Sequence, residues 1–261
     1  MKKIILFLSL FLISTAVFAM TDNALDMRAK KMSIEQASTK EQLVAQLTRG
    51  LKTDAEKARV IASWIAYQMD KNGYEYEQLV KASHRNRPAE TALENDPFLT
   101  RIGTPFDFAK LYAELATMAG LETVIIDGYA GDNVPSSRYS GHLMQSLEPS
   151  VNRIRGGTYH LQRYESAWNG VNINGKWQLV DTYWMSKTNK MIGQDFTSHQ
   201  MMKELQKRQR RLPSVSQLTA NKRIDNDYFF AKPRNFVKTH FPLDAKWQLL
   251  PVPTTWTSFT K

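Results

Sequence analysis

Gly103-Thr104-Pro105-Phe106-Asp107-Phe108-Ala109-Lys110-Leu111-Tyr112-Ala113-Glu114-Leu115-Ala116 is where the chain declares its architecture. Thr104 suits a helix N-cap, Pro105 suits the first helical position, and Asp107 completes a capping box. Ala109, Tyr112, Ala113, Leu115 and Ala116 then supply an apolar face at helical spacing. Gly120 provides the stop. A Val/Ile-rich strand is expected directly afterwards, from Thr123 to Ala130.

Working outward, two alternating runs, Ser166–Ile173 and Lys176–Trp184, flank Asn174-Gly175. That dipeptide is the strongest short hairpin signal. On the N-terminal side, Thr53 and Glu56 form a second capping-box pattern, and Ala58, Ile61, Ala62, Ile65 and Met69 continue it as a helix to about Asp70. A further helix is expected from Ser33 to Gly50, split in two if Thr39 and Gln42 cap an internal start. Residues 20–32 lack a period and are expected to be a flexible lead-in. A loop that can hold one short helix is expected over 77–100, and a long loop over 131–160. A basic helix is expected over 198–211, and extended segments packed on the core from Tyr228 to Phe259.

Composition restricts the chemistry. The 261 residues carry a formal charge of +10 and no cysteine. Thiol catalysis, zinc–thiolate sites and cysteine-ligated clusters are therefore excluded, and stability must come from packing. Lys2, Lys3, the apolar run Ile4–Phe18 and Val17-Phe18-Ala19 have the order of a secretory leader spanning 1–19. The expected location is the periplasm or the exterior of a bacterial cell. The five histidines show no metal-site spacing, so neither metal nor cofactor is expected. Lys207, Arg208, Arg210 and Arg211 could touch an anionic membrane surface. No nucleic-acid motif accompanies them.

The Gly103–Ala109 motif, Ala119-Gly120, Gly128-Tyr129, Ser166-Ala167-Trp168-Asn169 and Lys176–Trp184 together resemble the transglutaminase-like superfamily. Asp227–Pro233, His240-Phe241-Pro242-Leu243-Asp244 and Trp247-Gln248-Leu249-Leu250 resemble its kyphoscoliosis peptidase branch. The resemblance implies an α+β papain-like core, with N-terminal helices packed on an antiparallel sheet. The chain is expected to divide into a helical lead-in at 20–52, a core at 53–190 and a C-terminal extension at 191–261 packed on that core, with the resemblance covering about 53–259.

It also implies where chemistry would sit. The family's nucleophilic cysteine falls on Pro105, its histidine on Ser166 and its aspartate on Asp181. Only the aspartate is kept. Ser166 is expected to hydrogen-bond toward Asp181, and His240 to pack with Phe241 and Trp247. The expectation is a non-catalytic binding or scaffold module for a peptide, protein or cell-wall component, lined by Phe106, Asp107, Trp168, Tyr183 and Trp184. The alternative is a hydrolase or transferase using Ser166 or Thr104 with a loop histidine, His142 or His160.

Overall fold

The computed structural model describes residues 20–32, 37–71, 96–131, 165–187 and 223–260. The leader, His142, His160 and the basic run near 207–211 lie outside these residues, as does most of the 131–160 loop. Among the described residues no helix is long and apolar enough to cross a membrane.

Three helices open the fold: α1 (Asp22–Lys31), α2 (Lys40–Thr48) and α3 (Asp54–Gln68). α3 is the axis of the core. Val60, Ile61, Ala62, Trp64, Ile65 and Ala66 are all fully buried, the pattern of a helix covered on every side. Its Thr53–Glu56 capping box forms as its sequence predicts.

The expected flexible lead-in is instead α1, with Leu25 and Ala29 buried against α3. Only two apolar side chains at i and i+4 are buried, so the sequence period is faint. What holds the helix is polar. Asp26 accepts from Arg59 Nε and Nη2 at 2.8 and 2.7 Å, and from the Ser63 hydroxyl. Arg59 is itself buried, so this bidentate pair is shielded from solvent and positions the two helices. Of the expected Ser33–Gly50 helix, residues 33–36 lie outside the described residues and α2 occupies Lys40–Thr48; Thr39 caps it by accepting from Gln42 N–H.

After α3 come β1 (Asp70–Lys71), α4 (Pro97–Thr100) and β2 (Ile102–Gly103), with β1 and β2 parallel. The motif helix follows as α5 (Pro105–Met118), capped by Thr104 and Asp107. β3 (Thr123–Ala130), β4 (Glu165–Ile173) and β5 (Lys176–Val180) make the sheet centre. Asn174 and Gly175 both take positive φ, 52° and 80°, as a two-residue hairpin loop requires.

The second hairpin strand is shorter than its alternation suggests. It stops at Val180, and Asp181 caps a one-turn helix, α6 (Thr182–Met185). β6 (Ser186–Lys187) pairs with β7 (Arg223–Ile224). The C-terminal segment then supplies β8 (Phe229–Ala231), α7 (Pro233–Phe236), β9 (His240–Pro242) and α8 (Trp256–Phe259). The sheet order is β8-β5-β4-β3-β9, with every pairing antiparallel. The tail therefore closes both edges of the sheet, which protects edges that would otherwise be open to pairing.

The sheet separates two packed layers. α5 covers one face, where the Asn169 amide donates to Ala109 O at 3.0 Å. On the other face Ile126, Trp168 and Leu179 pack against Ala231 and Phe236.

Candidate functional site

The site grows from the end of β5. Asp181 is 1% exposed, so its carboxylate must find donors inside the protein. Oδ1 accepts from Trp184 N–H at 2.7 Å, the N-cap bond of α6. Its own N–H donates to Tyr228 O at 2.9 Å. Oδ2 meets His240 Nε2 at 3.1 Å.

His240 comes from β9, at the far edge of the sheet. It is fully buried and stacked on Phe236 at 3.9 Å between ring centroids. Trp184 and Trp168 stand edge-on at 4.9 and 5.1 Å. Its second nitrogen, Nδ1, lies 2.8 Å from Thr239 Oγ1. With the ring proton on Nε2, His240 donates to Asp181 and Nδ1 accepts from the threonine hydroxyl; in the other tautomer Nδ1 donates to Thr239, whose hydroxyl also lies 3.4 Å from Phe236 O. The result is a continuous chain from Asp181 through His240 to Thr239.

This arrangement corrects two expectations. Ser166 does not bond Asp181: it is 3% exposed and its hydroxyl has no hydrogen-bond partner among the described residues. The carboxylate's partner is His240, which sequence separation hides. His240 in turn does not pack with Phe241 and Trp247. β9 alternates, so Phe241 turns to the opposite face and joins Trp256 and Phe259. Trp247 instead meets Trp177 at 5.2 Å.

Trp168 is 1% exposed and cannot line an open cleft. Its ring lies over Gly128, where an added Cβ would sit 2.4 Å from Trp168 Cη2 and 2.4 Å from Phe241 O. Gly128 is thus required by the closeness of ring and neighbouring strand, with Ser166 and Pro242 as its partners on either side.

Pro105 occupies the first position of α5, where its missing N–H costs nothing. Asp107, expected to bind ligand, has its carboxylate committed to Thr104: Oδ2 accepts from Thr104 N–H and from its hydroxyl, both at 2.8 Å. Asp107 also borders a polar cavity of about 290 Å³ with Lys40, Asp96, Lys110 and Glu114. Thr104 Oγ1 is spent in the same capping box, accepting from Asp107 N–H. Phe106 is exposed at 39%.

Tyr183 and Trp184 are half-buried. The Tyr183 ring meets Phe108 edge-on at 5.1 Å, which joins the first turn of α5 to α6. Lys71 Nζ stands 4.7 Å from the centre of the same ring. Burial, with the neighbouring Asp181 charge second, pushes the Tyr183 phenol up to about 12. The phenol stays neutral at physiological pH.

A model of the transglutaminase-like superfamily matches residues 41–182, more than half of the chain, and the chain belongs to that family. Among individual relatives, it is 25% identical over 214 residues to the human kyphoscoliosis peptidase, covering 82% of this chain and 24% of that protein. It is 27% identical over 239 residues to Drosophila melanogaster hillarin, covering 90% of this chain and 24% of that protein. The chain thus spans about a quarter of the length of these curated relatives. A solved TGase structure is 13% identical, with a TM-score of 0.32 over 72% of this chain and 39% of the other.

Proposed function

We propose that this chain is a transglutaminase-like pseudoenzyme of the bacterial envelope, exported and retained as a binding or scaffold module for a peptide or cell-wall component. The observation that carries the reading is the engagement of Asp181. The aspartate that would orient a catalytic imidazole at position 166 is already held by His240, inside a closed aromatic box. Position 105 offers no nucleophilic atom, and no cysteine exists elsewhere to replace it. Of the residues expected to contact a ligand, Phe106 is exposed and Tyr183 and Trp184 are half-buried. Phe106, the exposed one of the three, is where binding is sought.

The test restores the missing groups. Pro105→Cys with Ser166→His is titrated with a thiol-reactive reagent across pH, alone and with His240→Phe added. The reading expects an ordinary thiol in the double variant, because His240 still holds Asp181. A lowered thiol pKa is expected only once His240 is removed. A strongly activated thiol in the double variant alone would overturn the claim that His240 blocks the site. For the binding role, Phe106→Ala is compared with the native chain for retention on purified cell-wall sacculi and on an immobilised peptide mixture. Equal retention of both proteins removes the proposed surface.

A second reading is favoured by the Thr239 hydroxyl. With its proton on Nε2, His240 would connect Asp181 and Thr239 in the order of a general-base relay, and Thr239 is half-exposed. If it works as one, a p-nitrophenyl ester acylates Thr239 and the label disappears in Thr239→Val. Absence of label at Thr239 ends this reading and leaves the binding module.

A further inference from the structure

Met20 is held through both its backbone and its side chain. Met20 N–H donates to Glu56 Oε1 at 2.6 Å. Glu56 is 6% exposed, and its other oxygen, Oε2, accepts from Lys52 N–H, Thr53 N–H and the Thr53 hydroxyl at 3.0, 2.9 and 2.9 Å. Every donor in this set is neutral, while the acceptor is a carboxylate held in the first turn of a buried helix. The Met20 side chain packs against the main core. Arg28 contacts its sulfur at 3.6 Å and clamps the carbonyls of Leu47 and Arg49. Thr21, the next residue, caps α1 by accepting from Ala24 N–H.

The sequence places the end of a leader one residue before this seat. Val17-Phe18-Ala19 puts small or apolar residues at the positions a leader peptidase reads. We propose that the Ala19–Met20 bond is hydrolysed on export and that the freed α-ammonium of Met20 binds Glu56 as an ion pair, locking the new N-terminus onto α3. Water supplies the oxygen of the new Ala19 carboxylate, and the departing amine of Met20 takes up protons to become the ammonium. A leader peptidase of the exporting cell catalyses the step. The register is strict. A cut one residue later would remove the donor, and a cut earlier would leave the charge away from Glu56 and keep Met20 as an amide.

The consequence is that processing changes the strength of one contact. A neutral amide donor becomes a cation facing a carboxylate, and charge-assisted hydrogen bonds are the shorter and stronger kind. The seat ties the N-terminal end of α1 to α3. Export and maturation therefore add stability to the folded module.

This inference rests on the export reading for the cut and on Glu56 for the seat, and the experiment separates the two. The intact mass and N-terminal sequence of the chain recovered from the envelope of the expressing cell are expected to begin at Met20. Any other first residue overturns the proposal. The recovered chain is then compared with an Nα-acetylated form, which keeps the N–H and removes only the charge. The acetylated chain is expected to melt about 3–6 °C lower at low ionic strength, on the scale usual for proteins of this size. With Glu56→Gln in both forms, the difference is expected to fall to less than about a third of that on the same scale. Equal melting of the acetylated and free chains overturns the ion pair even where the cut is confirmed, and that comparison needs no variant to fold.

Discussion

Replacing His240 with phenylalanine tests the centre of the structure. The change keeps a ring of similar size, so the stack on Phe236 and the edge contacts with Trp168 and Trp184 can persist. What it removes is the ring nitrogen that meets Asp181 Oδ2 and the one that meets Thr239 Oγ1. Removing the partner of a buried carboxylate costs roughly 3–5 kcal/mol, because its charge is left stranded. Asp181 keeps its bond from Trp184 N–H, which favours the lower end, about 3 kcal/mol. For a protein of this size that corresponds to a fall in melting temperature of about 6–12 °C. Urea unfolding followed by tryptophan fluorescence measures it directly, since two indoles flank the substituted ring. The same change is then made in an Asp181→Ala background. With no carboxylate to strand, His240→Phe should cost less than about 1 kcal/mol there, leaving a coupling of about 2 kcal/mol. An equal cost in both backgrounds would refute the pairing and reduce His240 to a packing residue.

Two further substitutions probe contacts elsewhere in the fold. Gly128→Ala drives a methyl group to within 2.4 Å of both the Trp168 ring and the backbone of β9. Because one of those neighbours is backbone, relief requires moving a strand; the expected loss is about 2–4 kcal/mol, near or above the usual cost of overpacking, read from urea midpoints, and a neutral result would show that β9 is not seated as described. Glu56 gives a pH signature. Its carboxyl is pulled down to about 2, first by Met20 N–H and then by Thr53 N–H. A depressed carboxylate contributes stability above the ordinary carboxylate range, and that contribution is lost as pH falls through the folded value. Native protein should therefore lose more stability than Glu56→Gln between about pH 5 and pH 2, and parallel acid titrations of the two would contradict the assignment.

The sequence itself determined the elements whose information is local. Thr53 with Glu56 and Thr104 with Asp107 write their helix starts within four residues, and Asn174-Gly175 writes its turn in two. The α+β class and the family follow from those pieces and the order in which they come. The absence of cysteine settled the loss of thiol chemistry outright, since no fold can supply a missing atom. Local signals failed where structure is held by distant polar partners. α1 read as a loose lead-in because its anchor, Arg59, is on another helix. β5 read too long because Asp181 ends it by capping α6, which competes with continued alternation.

The site divides along the same line. Pro105 at a helix start and Asp181 at a strand end were legible by position. Tertiary structure alone decided who answers the buried carboxylate. Ser166 is close in sequence and across the hairpin, but its hydroxyl bonds nothing described. His240, from the opposite edge of the sheet, reaches Asp181 because β9 pairs with β3 and turns the imidazole inward, where a desolvated carboxylate requires a donor.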